Sequence, residues 1–249
     1  MAVVVTTVAE RPHLREQMGG PRWDDAWPEF MDHDPVADLY YSDTTRWAKH
    51  ILVATDGDEV IAKGYTIPFA FPTERRQTLP DGGWDTVIRW GSSDYQLGVA
   101  PTACSALEIT ILPSYRGTGL SKTMVAAMRD MVADLGFSDL YAPVRPSQKS
   151  REPDMPMSEY VDLRRDDGLP VDPWLRVHAR LGGEIVAVCP TAMTITGTLA
   201  QWRAWTGLPF DQSGPVVVPG ALVPVHVDVP NDHAVYVEPN VWMRHRLAS

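Results

Sequence analysis

Lysine is scarce in this chain: of 22 basic residues only Lys49, Lys63, Lys122 and Lys149 are lysines. Such arginine-heavy usage suggests a GC-rich bacterial genome. Cysteine is scarcer still. Cys104 and Cys189 are the two present and form no C-x-x-C pair, which argues against a disulfide scaffold and a zinc site and leaves them as small buried hydrophobes. No apolar run approaches the roughly 20 residues of a membrane span. The short N-terminal run Ala2 to Val5 has no basic segment before it, so it does not read as a signal peptide, and a cytoplasmic protein is expected. Positive charge is in deficit, with a formal net charge of −10 and a pI near 5.1. That excludes nucleic acid and anionic membrane as main partners. There is no internal repeat.

What is present centres on Leu107 to Ser121, LEITILPSYRGTGLS. It reads as a strand, a glycine turn and the start of a helix. Met124, Met128, Met131 and Leu135 then recur at helical spacing on one apolar face, and Gly136 ends the helix. A strand that delivers a glycine turn to a helix N-terminus is an anion-binding device, because free N–H groups and the positive helix end point to one place. Arg116 and Lys122 can make that place positive on an acidic protein. Ser121 stands where the Walker pattern needs glycine before Lys122. Lys122 occupies the third glycine position of the dinucleotide pattern. R-x-x-G-x-[G/A] does fit, from Arg116, with Ser121 as the small last residue.

Elsewhere the chain reads as alternating strands and helices. Asp32-His33-Asp34 forms a solvated loop before a short helix, since three adjacent side chains do not converge on one ion. Trp23, Trp27 and Phe30 are assigned to packing ahead of ligand contact. His50 to Thr55 and Glu59 to Pro68 flank an Asp-Gly turn and read as a hairpin. Trp84 to Trp90 leans to helix. Asp139 to Arg145 is a short strand. Pro146 to Pro173 is a proline-rich insertion, either a lid or a surface excursion. Trp174 to Gly183 is a helix begun by Pro173, followed by strands at Glu184–Cys189 and Ala192–Thr196. Beyond Leu199 a helix to Trp205, strands near Val216–Val218 and Val223–Val229, and docked apolar runs at Val235–Val237 and Val241–Met243 make an irregular wrap.

The strand, the Pro-x-Tyr-Arg-Gly lead-in, the loop Arg116 to Ser121 and the amphipathic helix together resemble the pyrophosphate loop of the GCN5-related N-acetyltransferase family. The resemblance covers roughly 40–196. It implies an α/β (α+β) fold with a mixed, strongly twisted sheet and helices on both faces. On this reading residues 1–249 are a single acyltransferase domain, with a core over about 40–198 and a C-terminal extension over 199–249. It implies acetyl-CoA as cosubstrate with no metal, and a small-molecule amine as acceptor; a homodimer is allowed.

The resemblance also assigns residues. Arg116, Gly117, Thr118, Gly119, Leu120 and Ser121 cradle the cofactor, and Ile109 and Ile111 line it. The backbone N–H of Ile111 is placed to bind the thioester carbonyl. Glu108 stands five residues before Pro113, where family members commonly carry an acidic residue. Because Ile109 and Ile111 share one face of the strand, Glu108 and Thr110 point the other way, into the cleft. Glu108 is therefore the candidate base, or a binder of a cationic amine. His178 falls where the family often has a tyrosine acid for the departing thiolate, with Tyr141 and Tyr160 as weaker candidates. Transfer of a longer acyl group, transfer to a hydroxyl, and a non-catalytic acyl-CoA-binding module remain open alternatives.

Overall fold

A computed structural model describes residues 3–247. The chain builds a nine-stranded mixed sheet. Strands β1 (Val3–Thr7), β2 (Ile51–Asp56), β3 (Glu59–Phe69) and β4 (Ala103–Ile111) pair antiparallel in chain order. Strand β5 (Asp139–Val144) lies parallel to β4. On its other side β5 pairs with β9 (His233–Arg246), which also pairs with β6 (Glu184–Gly197) and with β8 (Val225–Asp228), and β7 (Gly214–Val216) closes that edge. The β2–β3 hairpin forms at Gly57, whose φ of 62° suits the tight turn.

Helices cover both faces. On one face α3 (Leu120–Asp134) presents Met124, Met128 and Met131 to Leu52, Ile61 and Leu140. On the other lie α1 (Asp38–Tyr41), α2 (Gly83–Leu97) and α6 (Leu199–Thr206), with Trp84, Val87, Trp202 and the N-terminal Phe30 in one large apolar cluster. A Cβ at Gly91 would meet Ile67 Cγ1 at 2.5 Å, so this glycine sets how closely α2 lies on β3. Two short helices complete the set: α4 (Met157–Tyr160) within the insertion, and α5 (Pro173–Arg180) after it.

Four expectations change. The paired strands expected over 184–196 are one long irregular β6, and the two docked runs near the C-terminus are one 14-residue strand, β9. The extension thus supplies a strand flanked on both sides, between β5 and β6. Asp34 is not solvated; it is 3% exposed. The insertion is tied down rather than free. Asp172 accepts from Trp174 N, Leu175 N, Gln148 N and the Tyr160 hydroxyl at 2.8 to 3.1 Å. Lys149 is fully buried and donates to the Leu222 carbonyl at 2.8 Å.

Candidate active site

The site follows from where β4 and β5 part. They are paired only at Cys104–Leu140 and Ser105–Tyr141, whereas β4 stays paired to β3 as far as Ile111. Beyond Ser105 the β5-facing edge of β4 is open. Leu112 N–H donates to Ile61 on β3 at 3.0 Å. By the alternation of an antiparallel ladder, the N–H and C=O of Ile109 and Ile111 point away from β3, into the gap. The Ile111 carbonyl already takes the Arg116 guanidinium at 3.1 Å.

A bulge turns the strand at this point. Tyr65 pairs with Glu108 and Thr66 with Ala106, which leaves Leu107 unpaired. Leu107 joins the large apolar cluster while Ile109 and Ile111 pack toward α3. Leu107 and Glu108 therefore face the same side, a reversal that simple alternation does not anticipate. The Trp84 indole donates to the Leu107 carbonyl at 3.0 Å and holds the bulge in place.

Glu108 then sits in a polar pocket with aromatic walls. Its carboxylate accepts from the Tyr41 hydroxyl at 3.0 Å and from Thr110 Oγ1. Lys63 Nζ, from the neighbouring strand, lies 4.0 Å from Glu108 Oε1, with side chains 14% and 12% exposed. Tyr41 packs edge-on to Tyr65 at 5.2 Å and stacks near Trp84 at 6.3 Å. Burial raises the Tyr41 and Tyr65 phenols well above their ordinary range, and the Glu108 charge adds to this, so both remain protonated donors. Lys63 also donates to the Met18 carbonyl at 3.1 Å and sits 4.7 Å from the Trp23 ring centre. Burial raises the Asp32 carboxyl group, the neighbouring His33 opposes that, and the charges of Asp24, Glu108 and Glu29 add to it.

At the end of β4, the loop Arg116 to Ser121 enters α3. Gly119 caps the helix at φ 89° with no side-chain cap, and a Cβ added at Gly117 or Gly119 would meet open space. Lys122 N–H donates to the Gly119 carbonyl at 3.0 Å, so the N–H groups of Leu120 and Ser121 are those left to an outside acceptor, which fits a pyrophosphate. Thr118 Oγ1 turns back to the Tyr115 carbonyl at 2.7 Å.

His178 lies elsewhere. It is 4% exposed on α5, with its Nδ1 2.9 Å from His245 Nε2 and the Trp174 ring edge-on at 4.8 Å. Burial, then the neighbouring His245, push its imidazole down to about 3. The structure keeps it neutral and does not bring it to Glu108, so the imidazolium that an acid role requires is the disfavoured form. Tyr160 is committed to Asp172 at 3.0 Å, and Tyr141 packs edge-on to Phe71 at 5.6 Å. Tyr41 and Lys63 are the site residues that sequence reasoning missed. Only the β3–β4 register and the fold of the N-terminal segment bring them to Glu108.

No family model matches the chain. It is, however, 34% identical to the arginine N-acetyltransferase avaD of Aspergillus versicolor over 272 aligned positions, which cover 97% of this chain and 93% of that protein. The chain belongs to the GCN5-related N-acetyltransferase family. It is an N-acetyltransferase. Solved structures show the same fold for this acetyltransferase. The loading GNATL domain of CurA from Lyngbya majuscula superposes with a TM-score of 0.61 at 16% identity, covering 99% of this chain and 98% of that one. The GphF GNAT-like decarboxylase in complex with isobutyryl-CoA superposes at 0.57 and 14% identity, covering all of both chains. Among the described residues of this acetyltransferase no helix is long and apolar enough to cross a membrane.

Proposed function

We propose that this acetyltransferase acetylates arginine or a closely related cationic amino compound, by direct attack of the acceptor nitrogen on acetyl-CoA in a ternary complex. The observation that carries the reading is the Glu108 carboxylate, held by Tyr41 and Thr110 beside the open edge of β4. The name of the fungal relative supports the acceptor class.

The loop Arg116 to Ser121 binds the pyrophosphate of the cofactor, and the gap beside Ile109 and Ile111 receives its thioester arm. Glu108 takes a proton from the bound nitrogen. The freed lone pair attacks the thioester carbonyl, the C–N bond forms and the C–S bond breaks, and the second proton of the nitrogen passes to the departing thiolate, which leaves as coenzyme A. The Ile111 N–H donates to the carbonyl oxygen as negative charge develops there, an effect worth roughly 3–4 kcal/mol per donor in acyl transfer. Thr110 and Tyr41 fix Glu108 in one orientation, which matters because proximity supplies much of the rate. His178, buried against His245, takes no part.

Thiol release from acetyl-CoA with an amine panel tests the reading. Arginine is expected to support release, and Glu108→Gln is expected to lower kcat/KM by about 10²–10⁴-fold while coenzyme A affinity is unchanged. Release with no amine in the panel would point to an acyl-CoA-binding module, and near-normal turnover by Glu108→Gln would remove Glu108 as the base.

A further inference from the structure

Lys63 presents a physical contradiction. A base that must accept a proton from a cationic nitrogen has a second, fixed cation 4.0 Å away. That ammonium cannot swing clear. It is held from one side by the Met18 carbonyl at 3.1 Å and from another by the Trp23 ring, centred 4.7 Å away, and Tyr65 packs against it at 5.8 Å. Nor is it the close partner of Glu108. The short contacts of that carboxylate come from Tyr41 and Thr110, and 4.0 Å is the outer limit of an ion pair. An incoming ammonium alone would be repelled by Lys63 in a partly desolvated pocket, where charges are weakly screened.

The contradiction disappears if the acceptor carries its own negative charge beside the nitrogen. In an α-amino acid, standard bond lengths put the amine nitrogen and a carboxylate oxygen roughly 3–3.5 Å apart. That is close to the spacing of Glu108 and Lys63. Laid alongside them, the zwitterion puts its ammonium at Glu108 and its carboxylate at Lys63, so the four charges alternate. We propose that Lys63 is the specificity-determining residue of the acceptor site, that it binds the α-carboxylate of an amino acid, and that the α-amine is the nitrogen acetylated.

This rests on the reading that the nitrogen is bound at Glu108, and the experiment separates the two. Initial rates of thiol release are measured with the full chain on L-arginine, L-arginine methyl ester and agmatine, for the native protein and for Lys63→Met and Lys63→Arg. Coenzyme A affinity serves as the folding control. The expected result is a native preference for arginine of about 10-fold or more in kcat/KM over both analogues, since a site built around a polar group rejects ligands that lack it. Lys63→Met is expected to shrink that ratio below about threefold, and Lys63→Arg, which keeps the charge, to retain it. Agmatine or the ester used as well as arginine overturns the carboxylate assignment and leaves the amine reading intact, as does a Lys63→Met protein with undiminished discrimination. No release from any of the three compounds overturns both.

Discussion

Asp34 and Asp85 are buried carboxyl groups, 3% and 4% exposed, each with one oxygen that has no hydrogen-bond partner. Val36 N–H donates to Asp34 at 2.8 Å and Thr194 N–H to Asp85 at 3.3 Å. Burial, then the charge of Asp34, push the Asp85 carboxyl up to about 8. Asp85 therefore keeps its proton at neutral pH. The folded state binds this proton and the unfolded chain, with an ordinary carboxylate, does not. Stability from the pair is thus full below about pH 4 and lost as pH rises through about 8. Asp85→Asn removes the titration. It is expected to flatten the decline in Tm between pH 5 and pH 9 and to be more stable than the native protein by roughly 1–3 kcal/mol at pH 9. Denaturant titrations at both pH values check this; parallel slopes for the two proteins would contradict it. In the sequence, Asp34 reads as part of a polar loop, because a carboxyl that will be buried looks the same as one that will not. Glu108 was already a candidate in the sequence, from strand alternation and from the family resemblance, which puts an acidic residue five positions before Pro113. Lys63 and Tyr41 were not, because register across strands is a tertiary property.

At the scale of elements, the loop and helix from Arg116 onward are the most legible part of the chain. Turn glycines, a methionine stripe and a terminal glycine are local signals, and each corresponds to a feature of α3. The cradle depends on Gly119, whose φ of 89° and missing side chain leave the helix N-terminus open. Gly119→Asp places a carboxylate where the cofactor's pyrophosphate is expected, and adds about 1–2 kcal/mol of left-handed strain. Coenzyme A affinity measured by calorimetry should fall by at least about 10-fold while the Tm drops by only a few degrees. An affinity within twofold of the native value would argue against the cradle. Strand β9 shows why another element was not legible. Glu238, Pro239 and Asn240 interrupt its apolar alternation and read as a loop between two docked runs. In the fold Glu238 is wholly buried, bonded to Arg145 at 2.9 Å and to the Tyr236 hydroxyl at 2.7 Å. Its partners come from β5's end and from β9 itself, so satisfied burial of this charge is not visible in the local pattern.

For the whole molecule, β9 decides whether the sheet exists as one object. The family resemblance ends near residue 196, which invites the view that the last 50 or so residues are an appendage. The pairing says otherwise: β9 lies between β5, which borders the open edge of β4, and β6, and it also carries β8. Its side chains Ala234, Tyr236, Val241, Trp242 and Met243 are at most 1% exposed. At about 1.5–3 kcal/mol for each large apolar side chain buried, the large ones among them are worth on the order of 6–12 kcal/mol. That is comparable to the roughly 5–15 kcal/mol by which a whole domain is stable. Removing β9 would also strip the Arg145 guanidinium of its Glu238 partner and leave a buried charge unpaired. A chain ended after Thr198 is therefore expected to lose cooperative unfolding, near-ultraviolet circular dichroism and coenzyme A binding together, even though it keeps Glu108 and the entire Arg116 to Ser121 loop. A truncated chain that binds coenzyme A with native affinity and unfolds in a single sharp transition would show that the first 198 residues are self-sufficient.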